Sequence, residues 1–306
     1  MIMSPSRTSK RPSPFEPILA AALALAPGAA ATGQPVSGYQ IVPSAADPRV
    51  HDFDEPSLAL VGSHVRPNAP LAIFLTGTGG HPAAGPRALY ATIADQGYRV
   101  LALEYDDTPA VVQLCTRDPD PACSADFREM RIYGTGRSRA VSNPAAESIV
   151  ARLVAALRAL DRQAPGQGWG AYLDGDQPRW DRILVSGLSQ GAGMAAFIAK
   201  QHLVYRVVLF SSPWDWTGRD LHPAPWLSGP SATPMDRWQA EYHRRERTAD
   251  NIAAAYRALG IPADHIYVFN RDLPRNAVDN GNPYHGSTVR DPGYEPQWRA
   301  MYGRAP

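Results

Sequence analysis

Ser189 is the residue of this chain best placed by its neighbours to act as a nucleophile. It stands in Gly187-Leu188-Ser189-Gln190-Gly191, a G-x-S-x-G pattern. A serine hydroxyl is a weak nucleophile on its own. It needs a base to take its proton, and the base needs a third group to orient it. The setting of the pattern adds weight to it. Residues 183–185 are an apolar run that predicts a buried strand, and residues 192–200 are a helix-forming run that follows at once. Strand, sharp turn and helix together let such a serine stand clear at the end of a sheet. Glycines on both flanks leave room for the turn. The amide of Gln190 then falls at a helix N-terminus, where free N–H groups and the macrodipole favour negative charge. It is placed to hold an oxyanion.

The surrounding chain supplies elements that could carry this turn. Apolar runs at residues 57–61, 70–75, 98–105 and 206–211 predict strands. Those without alternation fit a sheet covered on both faces. Residues 86–96 predict a helix stopped by Gly97, and Ile149, Leu153, Leu157 and Leu160 recur at helical spacing after an Asn143-Pro144 start. Alternating strands and helices make an α/β fold with a mainly parallel sheet. Residues 76–82, rich in glycine, follow the second strand; no Gly-Lys-Ser/Thr ending is present, which excludes a P-loop. Residues 106–141 are an excursion whose Arg128 and Arg131 are expected on a solvated helix face or as braces of the loop, with contact to an acidic substrate as the alternative. Residues 213–240 carry Trp214, Trp216 and Trp226 among prolines. They are expected to form a lid-like insertion, its aromatics facing either an acyl chain or the sheet.

On the glycine loop, the elbow and the Tyr284-His285-Gly286-Ser287 run, residues 57–303 resemble the α/β-hydrolase superfamily. The last of these runs and the cysteine-bearing excursion are similar to its exported bacterial, esterase-like serine hydrolases. The resemblance implies a central parallel sheet with helices on both faces. It implies the chain order nucleophile, acid, histidine. Ser189 is then the nucleophile and His285 the base, because among eight histidines only His285 follows the last expected strand, residues 265–270. His81 is expected near the pocket, His202 on the surface at the end of the elbow helix, and His243 and His265 in structural roles. The acid should follow a strand at residues 238–243. Glu246 fits that place, with Asp250, Asp236 and, after the preceding strand, Asp215 as alternatives. The second oxyanion amide is expected at Gly77 or Thr78, beside that of Gln190. No metal or organic cofactor is implied.

Composition narrows the remaining choices. The chain has 306 residues, 44% of them hydrophobic, enough for one domain with a full core. A net charge of +1 without basic clusters leaves no footprint for nucleic acid. Arg7, Lys10 and Arg11, then the apolar residues 18–26, then Ala29-Ala30-Ala31 have the order of a cleavable signal peptide. Residues 1–31 are thus expected to be removed, leaving residues 32–306 as a single periplasmic or secreted domain with no membrane span. Residues 32–56 are expected to wrap its surface. The two cysteines, Cys115 and Cys123, suit an oxidising compartment and are expected to pair. Closing so short a loop contributes about 2–3 kcal/mol in the chain-entropy model. With no histidine or further cysteine beside them, they do not read as a metal site. The expected activity is hydrolysis of a small-molecule or lipid-like carboxylic ester. An acyltransferase or peptidase of the same fold, and a catalytically silent binding domain, are the rival readings.

Overall fold

A computed structural model describes residues 36–273 and 281–306. The expected signal segment, residues 1–31, lies outside the described residues. Eight strands make one sheet: β1 (Val36–Ile41), β2 (Ser57–Gly62), β3 (Leu71–Leu75), β4 (Arg99–Leu103), β5 (Ile183–Leu188), β6 (Arg206–Phe210), β7 (Trp238–His243) and β8 (Ile266–Phe269). Their order across the sheet is β1-β2-β4-β3-β5-β6-β7-β8. β1 and β2 are antiparallel to their neighbours, and every pair from β4 to β8 is parallel. The longer helices are α1 (Arg87–Asp95), α2 (Cys123–Tyr133), α3 (Ile149–Gln163), α4 (Gln190–Gln201), α5 (Ala249–Leu259), α6 (Pro283–Arg290) and α7 (Glu295–Tyr302).

The strand sequences explain where the helices go. In β3, Leu71, Ile73 and Leu75 face one core with Leu153 and Leu157 of α3, Ala195 of α4 and Ile252 of α5. Ala72 and Phe74 face the other core with Leu89 and Ile93 of α1 and Trp298 of α7. Both faces are buried, so the strand reads as a continuous apolar run rather than an alternating one. Parallel neighbours need a crossover, and the helices supply it on both faces.

Two elements differ from expectation. Residues 36–41, expected to wrap the surface, form the edge strand β1, registered from Val36 opposite Gly62 to Ile41 opposite Ser57. Its sequence, VSGYQI, buries little apolar surface, so pairing rather than pattern defines it. The helix expected to start at Asn143-Pro144 begins at Ile149. Ser148 caps it by accepting from the Ala151 N–H at 3.2 Å. Asn143 instead accepts a hydrogen bond from Arg131 at 2.7 Å.

Cys115 and Cys123 are joined in a disulfide at the start of the excursion. Arg128 and Arg131, on α2 just beyond it, are not on a solvated face. They are 0% and 3% exposed. Arg128 holds Asp215 through two hydrogen bonds, at 2.7 and 2.6 Å, and Arg131 pairs with Asp106. Both are braces, as buried guanidinium groups must be when their charge is matched.

Candidate active site

Ser189 sits between β5 and α4 with φ 55 and ψ −120, a region non-glycine residues rarely occupy. The surroundings hold it there. Its N–H donates to the Phe210 carbonyl at 2.9 Å, and its carbonyl accepts from Gly193 at 3.1 Å. The flanking glycines are required by close approach. A Cβ at Gly187 would lie 2.6 Å from the Leu75 carbonyl oxygen, and one at Gly191 would collide with that same carbonyl. The helix starts at Gln190, two residues earlier than the apolar run suggests, so the Gln190 N–H is among its free N-terminal donors.

The acid and the histidine come from the neighbouring strand ends. Glu246 lies in the turn after β7, and its side chain is fully buried. Its Oε1 accepts from the His243 N–H at 2.7 Å and from the Ser211 hydroxyl at 2.6 Å. Its Oε2 lies 2.7 Å from His285 Nδ1. Three donors thus converge on one buried carboxylate. They also fix which nitrogen of His285 carries a proton: Nδ1 donates to Glu246, leaving Nε2 as the acceptor of the neutral ring. His285 is not in a loop, as its sequence suggests, but in the first turn of α6, behind Pro283 at the helix start. One in five parts of its side chain is exposed.

Ser189 is linked to this pair through the sheet. Its amide rests on Phe210, and the next residue, Ser211, gives its hydroxyl to Glu246. Ser189, Ser211 and Glu246 therefore stand beyond the C-terminal ends of the three adjacent parallel strands β5, β6 and β7, and His285 of α6 meets Glu246 there. Among the described residues, neither the Ser189 hydroxyl nor His285 Nε2 makes a hydrogen bond within the protein. Such contacts commonly tighten only with substrate in place.

The other acid candidates are elsewhere or engaged. Asp215 is bound to Arg128 and accepts from Trp226 Nε1 at 2.9 Å. Asp250 is exposed in the first turn of α5. Asp236 is exposed in the short turn that leads into β7, at the opposite end of the strand from Glu246.

The glycine loop after β3 approaches the nucleophile directly. A Cβ at Gly77 would lie 3.1 Å from Ser189 Cβ. The Gly77 carbonyl accepts from Gly80 N–H at 2.8 Å. Across a trans peptide this turns the Thr78 N–H the other way, and it finds no acceptor within the described protein. Asp107 ties the far side of the loop, accepting from Gly79 N–H at 3.0 Å and Gly80 N–H at 3.2 Å. Burial raises the Asp107 carboxyl, against the pull of these donors. His81 ends the loop with Nδ1 3.1 Å from Glu104 Oε1. Burial pushes Glu104 up to about 7, against the pull of His81. The Gln190 side chain accepts from the Val111 N–H at 3.2 Å, which ties the elbow to the excursion.

His243 is structural, as expected. Its Nδ1 accepts from Arg245 N–H at 3.1 Å, so its Nε2 donates to the Arg271 carbonyl at 2.9 Å. Burial lowers its pKa, and the ring is a neutral spacer stacked on Tyr284. The insertion is anchored rather than open. Trp226 packs on Phe197 of α4 and under the Arg128 guanidinium. Lys200 of α4 donates to the Leu227 carbonyl at 2.7 Å and to that of Gly229. Trp214 and Trp216 are half-buried. Sequence reasoning missed Ser211, Asp107, Glu104 and Glu241. A signal existed for three: polar residues directly after β4 and β6, where a parallel sheet presents its loops, namely Glu104, Asp107 and Ser211.

No protein-family model matches the sequence, and no curated protein is similar to it. Solved structures do resemble it in shape. A cold-adapted esterase from an Arctic intertidal metagenomic library is 11% identical, with a TM-score of 0.46 over 91% of this chain and 97% of that one. Thermogutta terrifontis esterase 2 is 12% identical, with a TM-score of 0.46 over 88% and 96%. A putative dienelactone hydrolase from Klebsiella pneumoniae is 15% identical, with a TM-score of 0.44 over 88% and 99%. Strand order, the antiparallel β2 edge, helices on both faces and the turn at Ser189 together give this chain the α/β-hydrolase fold.

Proposed function

We propose that this protein is a serine hydrolase that cleaves a carboxylic ester through an acyl-enzyme. The observation that carries the reading is the 2.7 Å pairing of His285 Nδ1 with the buried Glu246 carboxylate, at the sheet edge where Ser189 stands on its strained turn. Ser189 Oγ attacks the ester carbonyl carbon as its proton passes to His285 Nε2. Glu246 holds the ring in the tautomer that can accept it and stabilises the imidazolium that forms. The carbonyl electrons move onto oxygen, which the N–H groups of Gln190 and of Gly77 or Thr78 receive. His285 gives its proton to the leaving alkoxide as the ester C–O bond breaks. Water then attacks the acyl-enzyme by the reverse proton path, releasing acid and Ser189.

The same reading makes residues 1–31 a cleaved export signal, with the protein working in the periplasm or outside the cell. The Cys115–Cys123 disulfide suits such a compartment. Turnover of p-nitrophenyl esters from acetate to palmitate, by oxidised protein lacking residues 1–31, tests the activity. Loss of turnover with Ser189→Ala is the expected result. Absence of both turnover and fluorophosphonate labelling in the parent protein would overturn the reading in favour of a binding domain.

A further inference from the structure

A second carboxyl lies behind the first. Glu241, in the middle of β7, is 0% exposed. Its Oε2 has no hydrogen-bond partner, and its Oε1 lies 3.5 Å from Ser211 Oγ. That same hydroxyl lies 2.6 Å from Glu246 Oε1. Ser211 has one hydrogen to give, and the shorter distance assigns it to Glu246. Glu246 also takes the His243 N–H and the His285 Nδ1–H. Among the described residues, Glu241 is left with no N–H donor and no cation. The groups that face it are Ser211 from the end of β6, Glu246 from the turn after β7, Thr288 from α6, Tyr256 from α5 and Tyr294 from the turn before α7. The Tyr256 hydroxyl is spent on the Glu241 carbonyl at 2.7 Å, and that of Thr288 on the His285 carbonyl at 2.9 Å. None of these groups is positively charged.

We propose that Glu241 is a positioning residue of the site, present as a neutral carboxylic acid that backs Ser211 and leaves Glu246 the single negative charge facing His285. Two carboxyls around one hydroxyl in a dry pocket do not both ionise, and the one with more donors keeps the charge. Burial, then the charge of Glu246, push Glu241 well above the usual carboxylate range, against the smaller pull of Thr288 and Ser211. A neutral Glu241 has two consequences. It packs against the Ser211 hydroxyl and so fixes the hydrogen bond that orients Glu246. It also leaves the Glu246 carboxylate as the one charged acid against His285 Nδ1. The role in turnover rests on the serine-hydrolase reading; the protonation state does not.

Thermal melts of the parent and Glu241→Gln from pH 5 to pH 8 test the protonation state without any substrate. A carboxyl protonated in the folded protein and ionised in the unfolded chain makes the parent lose stability as pH rises above the unfolded pKa. Glutamine has no such proton to lose. The melting temperature of Glu241→Gln should therefore gain on that of the parent as pH rises, and Glu241→Leu should show the same trend if glutamine does not fold. A difference that stays flat or shrinks with pH would overturn the proposal. For the positioning role, Glu241→Ala should lower kcat about tenfold or more with KM within about twofold, and glutamine should restore it. Alanine with parental kcat would overturn that role. A parent with no turnover would sink the hydrolase reading, and the melts would still decide the protonation state.

Discussion

Glu246→Gln is the substitution that tests the site most sharply. Glutamine has the shape of glutamate but one of its two terminal groups is a donor. In the parent every partner of the carboxylate donates to it: Ser211 Oγ at 2.6 Å, His243 N–H at 2.7 Å and His285 Nδ1 at 2.7 Å. If the NH2 turns toward His285, Nδ1 must accept and the ring's proton moves to Nε2. Nε2 can then no longer take the proton of Ser189. In serine proteases the matching change, which leaves geometry intact and inverts the tautomer, lowers kcat about 10⁴-fold. If the NH2 turns the other way, it meets the backbone N–H of His243, leaving buried donors unmatched at a cost of about 1–3 kcal/mol. The expected outcome is thus a fall in kcat of about 10²–10⁴-fold with KM little changed. The second orientation would also lower the melting temperature. The assay is p-nitrophenyl acetate turnover between pH 5 and pH 9, with melts of the same samples. A folded Glu246→Gln protein that turns over within about threefold of the parent would refute Glu246 as the orienting acid.

Asp215→Asn separates a stabilising carboxylate from a catalytic one. It leaves the Arg128 guanidinium buried without its counter-charge, and should cost about 3–5 kcal/mol in a denaturant melt. Below the melting temperature its kcat should stay near that of the parent; a catalytic loss larger than that of Glu246→Gln would exchange the two roles. Asp107→Ala frees the Gly79 amide, leaves that of Gly80 only its bond to the Gly77 carbonyl, and lets the glycine loop drift from Ser189. A shift of about 1 Å there should lower kcat about 10²-fold, while fluorophosphonate labelling of Ser189 slows rather than disappears. Unchanged kcat would show that the loop needs no tether. Replacing both cysteines with serine should lower stability by about 2–3 kcal/mol, read by urea melts, and leave the ester profile as it was. Lys200, with its ammonium desolvated against the insertion, is lowered to about 8. Its unfolded counterpart still holds a proton above that pH, so parental stability should rise relative to Lys200→Met from about pH 8 toward pH 10. An opposite slope would mean that the ammonium is well paired when charged.

The sheet and the elbow were legible because their physics is local. A strand buried on both faces must be apolar through its covered length, and 71–75, 100–103 and 207–210 are. The elbow needs glycine where a Cβ would meet the Leu75 carbonyl, and that need is written at Gly187 and Gly191. β7 was harder to read for a definite reason. Its sequence, WQAEYH, buries Gln239, Glu241 and His243, so no apolar run marks it. Glu246 could be placed only by chain order, because its partners Ser211 and His285 are 35 and 39 residues away. For the same reason the sequence leaves Arg128 and Arg131 open between a solvated face and a brace, and the structure makes them braces. Two arginines on one helix face look solvated until Asp215 and Asp106 are known to lie against them.

The polar residues that sequence patterning handles worst are concentrated at one end of this sheet, and their hydrogen bonds explain why they are tolerated there. The ends of β4, β6 and β7 each contribute a buried group to a partner on an adjoining element. Asp107 beyond β4 takes the amides of the glycine loop, and Ser211 beyond β6 gives its hydroxyl to Glu246 beyond β7. A buried polar group left unmatched would cost more than the single interaction it replaces. Matched in this way, the groups hold the loops after β3 and β4 on one side of Ser189 and those after β6 and β7 on the other. Glu241 is the exception that tests this account. With no donor of its own among the described residues, it is accommodated by keeping its proton, and it lies one hydroxyl away from the carboxylate that orients His285.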